Sequence, residues 1–204
     1  EEAFHLLDTY GFPLELTEEL AKEKRIRIDL AGFKKAFEKH KEISRAGFKG
    51  KFGGIGKEAT YEATKLHTAT HLLHAALRKI LGGQVKQMGS DITVERTRFD
   101  FSFDRNLTEG EIGKIQKIVN EKIRENLPVR FEEMTKEEAE KTGALHFFNG
   151  KYPDRVKVYS IGDWIREFCN GPHVSSTGEI GKVTILKEES VAAGVRRIRA
   201  AVSP

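Results

Sequence analysis

Cys169 is the only cysteine among 204 residues, so no intramolecular disulfide can staple this fold. A lone cysteine suits a reducing compartment, where thiols more often bind metal or react than pair. No apolar run approaches the roughly eighteen residues that a membrane-spanning helix needs, so no membrane partner is expected. The first residue is Glu1, and no basic-then-apolar leader follows it. These features lead us to expect a cytoplasmic piece of a longer protein. Internal repeats and long low-complexity tracts are also missing, which excludes solenoids and arrays. With 38% hydrophobic and 32% charged residues, the chain is globular, and long enough for one ample domain or two small ones.

Charge is nearly balanced, with 35 Lys+Arg against 31 Asp+Glu. Its distribution is less even: Lys22 to Lys57 holds twelve Lys/Arg and four Asp/Glu. That stretch reads either as a solvated helix face or as a surface for a phosphate backbone. Five of the ten residues from Gly47 to Gly56 are glycine, interleaved with Lys49 and Lys51. The stretch lacks the Walker spacing and its Lys-Ser/Thr ending, which excludes a nucleotide P-loop. It reads as a linker. The expected organisation is therefore a helical segment over 1–46, a linker over 47–59 and a second domain over 60–204.

In the first segment, Thr17 and Asp29 are expected to cap helices. The second of these places Leu30, Phe33, Ala36, Phe37 and His40 on one face. In the second region, Thr64 is expected to cap a helix stopped by Gly82-Gly83. Arg98 to Phe103 alternates as a half-buried strand. Thr108 with Glu111, and Thr135 with Glu138, form capping boxes. Arg155–Ile161 and Trp164–Cys169 read as strands around a Gly162-Asp163 turn, with more strand at Gly181–Lys187 and Val195–Val202. Strands mixed with helices without a βαβ rhythm predict an α+β fold, a largely antiparallel sheet packed with helices.

His67 and His71 are four residues apart on a helix, so both imidazoles can point at one ion. Cys169 and His173 are also four apart, across Gly171-Pro172, which forces a turn. Three nitrogens and one sulfur suit zinc. Spacing alone leaves open both a metal site and ordinary structural histidines, since C-x-x-x-H is not a zinc-finger spacing. His74 is read as a ligand, as support for one or as a buried structural residue. No Glu follows His67 in the H-E-x-x-H manner, and Ser175 and Ser176 lack a G-x-S-x-G elbow, which disfavours zinc-protease and serine-hydrolase chemistry.

The run Leu66-His67-Thr68-Ala69-Thr70-His71-Leu72-Leu73-His74 resembles the opening of the editing domain of alanyl-tRNA synthetases. Arg98–Ser102, Cys169-Asn170-Gly171-Pro172-His173 and Ser190–Ile198 resemble its later motifs in the same order, and Asp8–Leu14 resembles the end of the family's tRNA-recognition region. The resemblance implies a Zn2+-binding esterase that hydrolyses tRNA(Ala) mischarged with serine or glycine. Its metal ligands would be His67, His71, Cys169 and His173. Gln87 and Thr70 would orient the ester or water, and Lys86, Arg196 and Arg197 would meet the tRNA. The partners would be that tRNA and the remainder of the synthetase, without DNA, and this segment alone would not charge tRNA. A non-catalytic tRNA-binding module with a structural zinc is the alternative. Two features depart from the family pattern. Only the glycine-rich bridge stands where many members carry a β-rich module. Asn170 and Pro172 replace a common glycine and threonine, the latter as in the related threonyl enzymes.

Overall fold

The computed structural model describes residues 2–10, 14–24, 26–38, 59–146 and 152–204. The glycine-rich bridge from 47 to 58 and His40 lie outside them. The chain separates into two compact units, Glu1–Phe52 and Gly53–Pro204.

The first unit contains α1 (Glu2–Tyr10), α2 (Leu14–Glu23) and α3 over residues 30–38. Asp29 caps α3 as expected, its Oδ1 accepting from the Gly32 amide at 2.8 Å. Phe33 and Phe37 share a face because their spacing matches a helical turn, and both rings pack on Phe4, at 6.1 and 6.4 Å. Thr17 does not cap a helix. It lies inside α2 and is buried, because that helix begins three residues earlier, at Leu14.

In the second unit, α4 (Tyr61–Leu81) is followed by β1 (Gln87–Ile92), β2 (Thr97–Ser102), α5 (Glu109–Arg124) and β3 (Val129–Thr135). Then come α6 (Lys136–Lys141), β4 (Arg155–Ile161), β5 (Ile165–Phe168), a 3-10 turn at Thr177–Ile180, β6 (Lys182–Ala192) and β7 (Val195–Ser203). The named strands pair antiparallel, as expected, but in two sheets, β1-β2-β7-β6 and β3-β4-β5, and a single parallel bridge joins Leu145 to Glu167 of β5. The α+β architecture stands.

The cap of α4 is Thr60 rather than Thr64. Thr60 accepts from the Ala63 amide, while Thr64 lies within the first turn and donates its hydroxyl back to the Thr60 carbonyl at 3.0 Å. Both capping boxes form, at Thr108/Glu111 and Thr135/Glu138. Gly162, at φ 50°, makes the tight turn between β4 and β5, a conformation that disfavours a Cβ.

Helix α4 is buried on nearly every side. Ala69, Leu72, Leu73, Ala76 and Leu77 enter one core with Ile115 and Val119 of α5, Phe99 and Phe101 of β2, and Ile198 of β7. Burying each large aliphatic side chain there contributes about 1.5–3 kcal/mol. A smaller core (Ala139, Ala144, Val156, Val158 and Phe168) lies on one face of the three-stranded sheet. The central helix thus holds His67 and His71 rigidly where the chain returns after β5.

Candidate metal centre

One atom each from His67, His71, Cys169 and His173 lies within 4.8 Å of all the others. The Cys169 thiol is 3.3 Å from His67 Nε2 and 3.4 Å from His173 Nε2. In a tetrahedral site with ordinary zinc–nitrogen and zinc–sulfur bonds, neighbouring ligand atoms stand about 3.5 Å apart. The donor set and its spacing therefore suit a tetrahedral cation.

The hydrogen bonds at the far side of each imidazole decide which nitrogen is left for an ion. His67 Nδ1 is 3.0 Å from the Pro172 carbonyl, which can only accept, so Nδ1 carries a proton. His71 Nδ1 is 2.6 Å from Glu167 Oε2 and donates to that carboxylate. His173 Nδ1 is 3.1 Å from the Thr68 hydroxyl. That hydroxyl donates its one proton to the Thr64 carbonyl and accepts from the Val174 amide, so His173 must be the donor. In the neutral form of each ring, Nε2 is then the nitrogen that carries the lone pair a metal requires. His71 Nε2 is fully buried without a hydrogen bond, as a ligand atom is without its ion.

Glu167 is 3% exposed and bridges two imidazoles, since its Oε1 also lies 3.0 Å from His74 Nδ1. Burial opposes its charge, but His74 and His71 outweigh burial and hold the carboxyl well below the usual range. Burial likewise opposes a charge on His71, yet Glu167 and Cys169 push that imidazole up to about 10. Burial also disfavours the Cys169 thiolate, but its hydrogen-bonding contacts with His173 and His67 overcome burial and keep the thiol well below its ordinary value. Burial drives His173 down to about 3 despite its bond to Cys169. The cluster thus holds a thiolate, a neutral His173 imidazole and one proton on His71 that a cation would displace.

The other candidate residues are placed as follows. Thr70 is buried; its hydroxyl donates to the Leu66 carbonyl at 2.7 Å and contacts the Thr97 hydroxyl at 2.7 Å. Gln87 opens β1 and donates to Ser90 at 3.1 Å. The Lys86 amide donates to the Ser102 hydroxyl at 3.0 Å. Arg196 is buried against Glu188, and Arg197 grips both Asp100 oxygens at 2.7 and 2.9 Å.

The sequence alone assigns no role to Glu167 or Thr68, and gives Gly171 only a place in the turn with Pro172. Glu167 is two residues before Cys169, the strand spacing that sets two side chains on one face, and this was the available signal. A Cβ at Gly171 would collide with the His67 ring, so the turn needs glycine for close approach. His74, one of whose readings was support for a ligand, shares Glu167 with His71.

Residues 1–105, which carry His67 and His71, match the family "tRNA synthetases class II (A)". Residues 156–199, which carry Cys169 and His173, match the "Threonyl and Alanyl tRNA synthetase second additional domain". The chain is 54% identical over 198 residues to an alanine–tRNA ligase of Treponema pallidum, covering 97% of this chain and 33% of that protein. It is 49% identical over 198 residues to that of Borreliella burgdorferi, with the same coverage. With the alanine–tRNA ligase 1 of Lachnoclostridium phytofermentans it shares 32% over 315 residues, 100% of this chain and 36% of that protein. That span exceeds the 204 residues here, so the last relative carries extra residues within the matched region. The chain spans about one third of the length of these relatives. The chain belongs to the class II (A) tRNA synthetases, in the group of the alanyl enzymes.

Proposed function

We propose that this chain carries the proofreading site of an alanyl-tRNA synthetase, hydrolysing the ester of tRNA(Ala) mischarged with serine or glycine. The observation that supports this most is the convergence of three imidazoles on one cysteine, each with its Nδ1 engaged elsewhere and its Nε2 left for an ion. Three nitrogens and one sulfur favour Zn2+ among the available cations, with His67, His71, Cys169 and His173 holding it. When bound, Zn2+ supplies a Lewis-acid anchor for a substrate amino or hydroxyl group. The need for a second site is physical. Serine is alanine plus a hydroxyl, an addition that an activation pocket rejects poorly and that a hydrogen-bonding site reads well.

In this reading Gln87 and Thr70 orient the ester or the attacking water by hydrogen bonding, and neither acts as a strong base. Lys86, Arg196 and Arg197 are the proposed tRNA contacts, although Arg196 and Arg197 each already hold an acid. The partners are tRNA(Ala) and the rest of the synthetase, in the cytoplasm, and charging of tRNA belongs to the rest of that enzyme. Four protein donors also complete a tetrahedron, which favours a second reading: a tRNA-binding module whose zinc is structural.

Release of labelled serine from Ser-tRNA(Ala), beside Ala-tRNA(Ala), separates the two. The expected result is selective serine release by the metal-loaded chain and its loss in Cys169→Ala, with metal content measured on both. Salt-dependent tRNA binding without any turnover would overturn the esterase and leave the module.

A further inference from the structure

The register of the three-stranded sheet sets Phe131 opposite Tyr159 and Tyr159 opposite Glu167. Directly paired residues share a face, so one row runs from the buried Glu167 at the cluster to Phe131 at the sheet's far edge. The opposite face is committed elsewhere, with Val156, Val158 and Phe168 in the smaller core. Rings step outward along the row. His173 meets Tyr159 at 4.2 Å, and Tyr159 meets Phe131 at 5.3 Å. Phe131 is 51% exposed, too open to be a core residue. The Lys157 ammonium is 4.7 Å from the Phe131 ring centre and 3.6 Å from Glu133.

We propose that Phe131 and Tyr159 form a stacking platform for the unpaired 3′-terminal nucleobase of tRNA. The proposal rests on the proofreading reading for what the terminal ribose carries. An aminoacyl ester at the cluster brings its own base along on the same sugar, and the aromatic row begins at the ligand His173. Lys157 lies over one face of the Phe131 ring and Glu133 offsets its charge, so the row adds little net charge to attract a phosphate while it offers rings on which a base can stack. Stacking of this kind tolerates any base and is typically lost when the aromatic residue is truncated.

The test measures binding of an RNA microhelix with an amide-linked, non-hydrolysable seryl 3′ end, alongside the same microhelix lacking its terminal base. The proteins are the metal-loaded full chain, Phe131→Ala and Phe131→Trp. Phe131→Ala is expected to weaken binding about ten- to a hundredfold, from the usual worth of one base–aromatic stack. Removing the base should do the same, the two losses should not add, and Phe131→Trp should restore binding at unchanged metal content. Equal binding by Phe131→Ala, or an equal loss on the base-free RNA, would overturn the platform. So would a change in self-association, which would make the row a protein contact. The two ideas fail separately: coupling without turnover keeps the platform and removes the esterase, whereas turnover without coupling does the reverse.

Discussion

Glu167 shows how much one side chain determines in this cluster. Its two oxygens hold His71 and His74, and through His71 it orients a nitrogen of the candidate metal site. Replacing it with glutamine leaves the shape but puts a neutral amide where a charged acceptor stood. Glu167→Gln should lower zinc affinity by about 10–100-fold, read by competition with a chromophoric chelator. An unchanged affinity would show that the carboxylate does not orient the ligand. Gly171→Ala should also weaken zinc, because the added methyl displaces the His67 ring. The four residues of the cluster were legible in the sequence as candidates: helical spacing joins His67 to His71, and the lone cysteine lies four residues from a histidine. Thr68 was not, since its role depends on a proton count around one hydroxyl that draws on Thr64, His173 and Val174.

At the scale of elements, local chemistry sets helix starts. The Thr108/Glu111 box satisfies amides that no helical carbonyl can reach. Thr108→Ala should therefore cost about 1 kcal/mol in urea unfolding. Glu179 ties two elements together: it accepts from the Tyr61 hydroxyl at the start of α4 and from the Ser175 and Ser176 amides beyond His173. Hydrogen bonds from Ser175 and Tyr61 lower its carboxyl to about 2. The folded state thus binds this proton less readily than the unfolded chain, whose glutamates titrate near about 4.3. The contribution is complete above that value and is lost as the pH falls towards 2. Stability of the wild type should decline more steeply over this window than that of Glu179→Gln, and equal slopes would remove Glu179 from the account. Strands were harder to read than helices. β1 and β3 were missed because each is a polar sheet edge, paired on one side only, with no alternation of apolar residues to betray it.

Across the second unit, the cluster joins α4 to a turn about a hundred residues later, and one cation there would tie both ends of a long loop. A ligand that binds only the native state adds about 2.7 kcal/mol at a hundredfold excess over its Kd. Chelation should therefore lower the Tm, and added Zn2+ should restore it in the wild type but not in Cys169→Ala. A Tm indifferent to chelator would mean that the cluster binds no stabilising ion.

By itself the sequence determined the helices with caps, the antiparallel character of the strands, the family and the four side chains that meet. The family follows from the resemblance of ordered motifs, and the rest from local rules of spacing, capping and alternation. Tertiary structure alone decided that the strands divide into two sheets and that Glu167 joins His71 to His74. It also decided that Arg196 and Arg197 face acids on neighbouring strands, and that an aromatic row leads away from His173. The physical reason is that these depend on register and on competition for protons and partners between residues far apart in the chain, which no short window of sequence contains.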